Sequence, residues 1–232
     1  MATPDAALAG FRYERKFLVP VESWSNVHAC IRLNPGRFSG LYQPRTVNNI
    51  YLDAAGLPLY FMNLEGAADR TKVRIRWYGQ LFGTHSRPVL EFKIKRGLLG
   101  KKASFPLQPF TFDSKFAVHT LRQALSDSEL PSEVRHQLAH LEPTLVNRYH
   151  RAYFQSADTR YRITLDADLE FLRVRSAHNL FLCQAPRFPY RVLELKFDSN
   201  CWEDALAIAN ALPYRVSRIS KYVCGLDSLD GC

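Results

Sequence analysis

The chain has 232 residues, a formal net charge of +9 and a pI near 9.4; 47% of its residues are apolar and 12% aromatic. That apolar content supplies a sizeable core and excludes a disordered polymer. The positive balance calls for an anionic partner: nucleic acid, an acidic membrane surface or phosphorylated small molecules.

The first ten residues, MATPDAALAG, lack a basic start and a long apolar run, so no signal peptide is expected there. No apolar run reaches the ~20 residues of a membrane helix, and the expected location is the cytoplasm. Strand-like alternation begins at 11–19, with Arg12, Glu14 and Lys16 on one parity. A helical pattern over 21–32 stops at Asn34-Pro35-Gly36. A strand over 46–53 and a short helical turn within 56–66 follow. The next strand, 70–78, is the most telling. Arg70, Lys72, Arg74 and Arg76 share one parity; Thr71, Val73, Ile75 and Trp77 share the other. Successive strand side chains point to opposite faces, so this strand carries a ladder of cations on one face.

Strands over 88–96 and 102–107 are separated by the break from Gly97 to Gly100. In the first, Glu91, Lys93 and Lys95 oppose Leu90, Phe92 and Ile94. Helices are expected over 114–126, with Asp113 as N-cap, and over 132–141, with Ser132 as N-cap. Long strands then run over 146–155 and 160–172; in the second, Arg160, Arg162, Thr164, Asp166 and Asp168 share a face. After a loop at Ala185 to Pro189 come a strand over 190–198, where Glu194, Lys196 and Asp198 oppose Leu193, Leu195 and Phe197, and a helix over 202–211. A strand near 214–219 and a short helix after Ser220 end the chain. No linker or repeat divides it, so one domain is expected over 1–232. The cysteines, Cys30, Cys183, Cys201, Cys224 and Cys232, are scattered, odd in number and without a CxxC pair; they read as reduced thiols.

One alternating strand is what any sheet with a wet face shows. Five strands whose polar faces are dense in Arg, Lys, Glu and Asp point further, because stacked cations repel and an anion relieves them. If the sheet closes on itself, the charged face lines a lumen and the apolar face takes the helices outside. A phosphate chain suits such a lumen: arginine forks match its oxygens, lysines add point charges, and acids hold a hard metal. The candidate acids are Glu14, Glu91, Asp166, Asp168 and Glu194. No GxxxxGK[ST], GxGxxG, GxSxG or HExxH pattern is present, and His136 with His140 lacks a third ligand. The interleaved run Asn147 to Phe154 could stack bases, but its aromatics suit a core and its Arg148 the lumen.

Several segments together carry a family resemblance: YERKFLVP at 13–20, NNIYLD at 48–53, KVRIRWYG at 72–79, LEFKIKRG at 90–97 and KKASFPL at 101–107. The series continues with VNRYHRAYF at 146–154, RITLDADLEF at 162–171, VLELKF at 192–197 and SRISKY at 217–222. In this order the chain, from about Phe11 to Leu226, resembles the VTC domain, the polyphosphate polymerase domain of the triphosphate tunnel metalloenzyme superfamily, which also holds the CYTH proteins. The resemblance implies an α+β fold, a closed antiparallel β-barrel with a charged lumen and helices packed outside. It implies transfer of the ATP γ-phosphoryl group to a growing polyphosphate chain. Arg74, Arg76, Lys93 and Lys221 are then the catalytic cations. Lys16, Lys102, Arg148, Arg162, Arg218 and Ser220 join them as phosphate ligands. Glu194 is the metal ligand for manganese or magnesium, with Glu14, Glu91 and Asp166 as further acids; a salt-bridge role for Glu194 stays open. Lys95, Lys101, Arg151 and Lys196 read as solvated charges.

Two positions depart from the pattern. The ExExK signature of CYTH proteins reads Arg12, Glu14, Lys16 here, which leans away from hydrolysis, and Ser104 stands where a basic residue is common. ATP and polyphosphate or tripolyphosphate are the implied partners, with nucleic acid disfavoured. A small stand-alone form looks bacterial. The alternatives are a tripolyphosphatase or nucleoside triphosphatase, or a non-catalytic polyphosphate-binding subunit beside a membrane protein.

Overall fold

The computed structural model of the chain describes residues 12–21, 24–174, 179, 181 and 188–229. The N-terminal segment, Cys183, Cys232 and most of the 185–189 loop lie outside the described residues. In chain order the elements are β1 (Arg12–Pro20), α1 (Trp24–Leu33), β2 (Ser39–Asp53), α2 (Pro58–Leu64), β3 (Asp69–Tyr78) and β4 (Gly83–His85). Then come β5 (Val89–Arg96), β6 (Leu99–Pro106), β7 (Phe110–Phe112), α3 (Val118–Ser126), α4 (Ser132–Leu138) and β8 (Glu142–Gln155). The last are β9 (Tyr161–Arg173), β10 (Tyr190–Phe197), α5 (Trp202–Asn210), β11 (Val216–Ser217) and α6 (Lys221–Leu229).

Nine strands form one sheet in the order β10-β9-β8-β2-β3-β5-β6-β1-β11, and β1 also pairs with β10. The strand order therefore returns to its start and makes a ring. The pairing that joins first to last is extensive, from Tyr13 opposite Phe197 to Pro20 opposite Tyr190. On its other edge β1 meets β6 only at Arg12 and Tyr13; β11 takes over at Lys16 and Phe17. Every pairing in the ring is antiparallel.

The parity of β3 sets the ring's two faces. Val73, Ile75 and Trp77 are buried in a cluster with Phe112, Phe116, Leu121 and Leu138, beneath α3 and α4. A second cluster joins Phe17, Val19, Ile163, Leu165, Leu193 and Leu195 to Val27 and Ile31 of α1 and Ala205 and Ile208 of α5. Both clusters use one parity of their strands, which leaves the charged parity facing inward. A third cluster stands apart: Val47, Tyr51, Leu145, Tyr149, Phe171 and Val192 gather around Tyr222 and Leu229 of α6. Gly225 lets α6 approach, since a Cβ there would sit 2.5 Å from Leu145 and 2.6 Å from Phe171.

Several boundaries differ from the sequence expectation for local reasons. β2 starts at Ser39, because 39–45 pair with β8 across register shifts that break the two-residue alternation. β8 starts at Glu142, where a helix end was expected. Asp113 caps a turn by accepting the Lys115 N–H, and α3 begins five residues later at Val118. Pro131, not Ser132, holds the N-cap position of α4. β4 and β7 form a separate two-stranded sheet that no alternation announced.

Candidate functional site

The inner face collects its charges in three knots, the first and third built by residues facing each other across paired strands. In the first, Arg74 lies opposite Glu91 across β3–β5. The Arg74 guanidinium donates to Glu91 Oε2 through Nε at 2.9 Å and Nη2 at 2.7 Å. Arg76 Nη1 stands 3.5 Å from the same oxygen, and Lys102 Nζ donates to Oε1 at 2.8 Å. Burial alone would raise the Glu91 carboxyl, but Arg74, Arg76 and Lys102 outweigh it and hold it far below the usual range. Arg76 also donates to Asn49 Oδ1 (2.9 Å) and to Tyr149 Oη (3.0 Å), and Asn49 is braced by Asn147.

In the second knot Lys93 Nζ donates to Glu14 at 2.8 Å, with Lys95 at 3.9 Å. Burial pushes the Glu14 carboxyl up; Lys93, Lys16 and Lys196 pull harder and leave it at about 2. Lys72, directly opposite Lys93, has no ion-pair partner among the described residues, and burial with Lys16, Lys93 and Arg70 nearby lowers its pKa well below the usual amine range.

The third knot is the deepest. Arg151 forks onto Asp166 at 2.5 and 2.7 Å, and Lys221 Nζ lies 2.6 Å from Asp166 Oδ2. Glu194, one strand over, has Lys196 at 3.1 Å, Lys221 at 3.4 Å, and Lys16 and Arg151 both at 3.8 Å. Burial would raise Glu194, yet Lys221, Lys196 and Lys16 hold it well below the ordinary carboxylate range. Burial lowers the Lys16 amine despite its acidic neighbours, whereas Asp166 and Glu194 overcome burial to raise Lys221. The cations of the three knots far outnumber their four carboxylates, and that surplus is what a polyanion would neutralise.

The expected residues do not all meet. Lys16, Arg74, Arg76, Lys93, Lys102, Glu194 and Lys221 are brought together on the inner face. Arg148 is not. It sits on the outward parity of β8, 3.7 Å from the half-exposed Glu170. Its place belongs to Arg151, which was read as solvated and is instead buried on Asp166. Lys95 and Lys196 likewise leave the solvated class for Glu14 and Glu194, while Lys101 is exposed. Asp168 is exposed at a positive φ of 53°, beside the register shift of β8–β9, so it leaves the face that holds Asp166. Arg162 is exposed and opposite Lys196. Arg12 pairs with Asp198 in solvent. The signal for Arg151 was present: it shares parity with Asn147 and Tyr149, both of which touch the arginine network.

Helix α6 delivers Lys221, and its seat is specific. The Ser220 hydroxyl accepts the Val223 N–H at the helix start, so Ser220 serves as a cap. Tyr222 donates to Asp53 at 2.7 Å. Asp53 also accepts the N–H groups of Ala54, Leu59 and Tyr60, tying α6 to β2 and α2. Next to the start of the helix a cavity of about 670 Å³ is lined by Glu14, Lys16, Arg70, Lys72, Lys93, Lys95 and Arg218, together with Leu64, Leu98, Trp202 and Val216.

The VTC domain family matches residues 11–230, nearly the whole chain. The chain belongs to the VTC domain family. A curated relative, vacuolar transporter chaperone complex subunit 4 of Schizosaccharomyces pombe, is 27% identical over 229 residues; the match takes in 79% of this chain and 32% of the relative. The chain thus spans about a third of that protein's length. Among solved structures, the VTC domain superposes on a candidate adenylyl cyclase from Hippeastrum described as having a dominant triphosphatase activity, with a TM-score of 0.53 at 14% identity over 93% of this chain and 95% of that one. A candidate adenylate cyclase from Vibrio parahaemolyticus gives a TM-score of 0.51 at 11% identity, covering 92% and 98%. These likenesses show the triphosphate tunnel, or CYTH-like, fold: a mostly antiparallel sheet with helices around it. Among the described residues of the VTC domain no helix is long and apolar enough to cross a membrane.

For a divalent cation the donor set is sparse. Among the described residues no three His, Cys, Asp or Glu side chains converge. Glu194 lies near enough to Glu14 to push its carboxyl up, and both are hard oxygen donors already clasped by ammonium groups. One or two carboxylates with phosphate oxygens and water complete a magnesium-type shell, so this set fits a metal that arrives on a phosphate chain.

Proposed function

We propose that the ring is a closed tunnel in which this VTC domain transfers the γ-phosphoryl group of ATP to the end of a polyphosphate chain. The observation that carries this reading is the surplus of inward cations over Glu14, Glu91, Asp166 and Glu194. A site built only for stability would pair its charges off. Arg74, Arg76, Lys93 and Lys221 hold and align the phosphoryl groups, with Lys16, Lys102 and Arg151 around them; the outward Arg148 is not in this set. In the transfer the bond from the γ-phosphorus to its bridging oxygen breaks, a bond to the terminal oxygen of the chain forms, and ADP leaves. Glu194, with Glu14, would hold the divalent metal, manganese or magnesium, which when bound offsets charge on the phosphate oxygens. The fixed cations stabilise the equatorial oxygens, and burial strengthens each of these contacts. The relative is named as a subunit of a complex, and we extend the proposal to a membrane-protein partner met from the cytoplasmic side.

The test is an incubation of the purified chain with ATP and manganese, with and without a short polyphosphate primer. ADP, free phosphate and polymer are measured together. Polymer rising in step with ADP supports the transferase. Phosphate rising without polymer replaces it with a triphosphatase, and no turnover leaves a binding module.

A further inference from the structure

At the end of β3 away from the cavity, a second cationic feature stands outside the three knots. Arg45 of β2 lies over the Tyr78 ring at 4.2 Å and over the Tyr153 ring at 5.1 Å. Its Nε donates to Tyr153 Oη at 3.0 Å, and Tyr42 meets Tyr153 edge-on at 5.7 Å. Two tyrosine rings thus lie against the guanidinium of an exposed arginine. No carboxylate pairs with Arg45 among the described residues. Its position is built by the chain. Arg45 sits directly opposite Arg151, on the parity of Asn49, and the register of β2 shifts between Tyr42 and Arg45. A bulge of that kind re-aims a side chain and ends regular pairing. Tyr78 is two residues beyond Arg76 on the same parity, roughly 7 Å further along the strand. The cation ladder of Arg70, Lys72, Arg74 and Arg76 therefore continues into Arg45 at the far rim.

We propose that Arg45, clamped by Tyr78 and Tyr153, is a second phosphate-binding station that engages inorganic polyphosphate chains longer than a triphosphate. This rests on the phosphate-chain reading of the inner face. A triphosphate held at Arg74, Arg76 and Lys221 occupies only part of the ladder. A longer chain following it reaches the rim, where the exposed guanidinium offers a fork to phosphoryl oxygens. The tyrosines supply what a solvated arginine lacks: a fixed plane, with less entropy to lose on binding.

The experiment is a titration of the purified chain, in one buffer of fixed salt, with tripolyphosphate and separately with purified long-chain polyphosphate. Wild type is compared with Arg45→Gln and Arg45→Lys; melting curves check the fold, which an exposed position leaves intact. Arg45→Gln is expected to weaken long-chain binding roughly tenfold, the worth of one charge-assisted contact, and to leave tripolyphosphate binding within about twofold. Arg45→Lys is expected to fall between, since it keeps the charge and loses the clamped plane. Equal losses for both ligands, or no loss for the long chain, would overturn the proposal. A wild type that binds neither ligand overturns the phosphate-chain function itself, a result distinct from the other two.

Discussion

Lys221 Nζ, on the last helix, lies 2.6 Å from Asp166 Oδ2 on β9, and Arg151 grips the same carboxylate from β8. The two cations are not equivalent to the fold. If Lys221 is removed, Asp166 keeps its arginine fork. If Asp166 is removed, two buried cations lose a carboxylate at once. Asp166→Ala is therefore expected to destabilise the chain by about 3–5 kcal/mol. Lys221→Met is expected to cost far less in stability and to weaken tripolyphosphate binding by at least roughly tenfold. Thermal melts alongside a binding titration check both. Equal destabilisation by the two variants would show that Lys221 is a structural ion rather than a ligand-facing one.

Arg74 and Arg76 converge on Glu91, so their roles in binding and in folding need separating. The double variant Arg74→Ala with Arg76→Ala leaves the buried Glu91 with Lys102 as its sole ion-pair partner among the described residues. It is expected to lose both stability and tripolyphosphate binding. Adding Glu91→Gln removes the stranded charge and is expected to recover about 1–3 kcal/mol. Binding is not expected to return. Recovery of binding in the triple variant would remove these arginines from the site.

Strand β3 was legible because it alternates without a fault: cations on one parity and Val73, Ile75 and Trp77 on the other. Strand β8 was not, because it carries large apolar side chains on both. Tyr149 packs inward with α6 while Phe154 packs outward under α1, so no parity reads as the core. That is how Arg148 came to be expected where Arg151 stands. The positive φ at Asp168 hides in the same way, since nothing local in LDADLE marks a bulge. The pairing of β1 with β10 joins opposite ends of the chain, and no local pattern encodes such a partner. The inner apolar cluster around Tyr222 was missed as well, because only a charged lining had been expected for the lumen.

Lys95 offers a pH test in which binding and stability move in opposite senses. Burial, with Lys93, Lys16 and Arg70 nearby, brings its amine down to about 8 against the help of Glu14. Between about 8 and the ordinary 10.5 the unfolded chain holds a proton that the native chain has lost, so the Lys95 contribution to stability rises with pH across that window. Its contribution to anion binding does the reverse. Below about 8 the ammonium is present for a phosphate oxygen, and above it the charge fades. Tripolyphosphate affinity is thus expected to fall as pH passes upward through 8, with proton uptake on binding. In Lys95→Met that share of the fall is expected to vanish. Calorimetry in buffers of different ionisation heat reads the proton count directly, and an unchanged count in the variant would rule Lys95 out.

Asp53 touches no charge of the three knots, yet it is expected to govern how well Lys221 is held. Its carboxylate accepts the N–H groups of Ala54 and Leu59 at 2.8 and 3.0 Å, that of Tyr60 at 2.8 Å, and the Tyr222 hydroxyl at 2.7 Å. Tyr222 is the neighbour of Lys221 on α6. Asp53→Asn keeps the shape but turns one oxygen into a donor facing donors. The expected cost is about 2–3 kcal/mol, which lowers the melting temperature by roughly 4–12 °C in a chain of this size. Tyr222→Phe removes the bond the hydroxyl donates to Asp53 and the one it accepts from Thr144 at 3.3 Å, and is expected to cost about 1–3 kcal/mol. Both loosen the seat of α6, so both are expected to weaken tripolyphosphate binding although neither residue meets the ligand. Saturating tripolyphosphate is expected to restore part of the lost melting temperature, because it binds only the arrangement with Lys221 in place. Full wild-type affinity in Asp53→Asn, measured well below its melting point, would confine Asp53 to the fold.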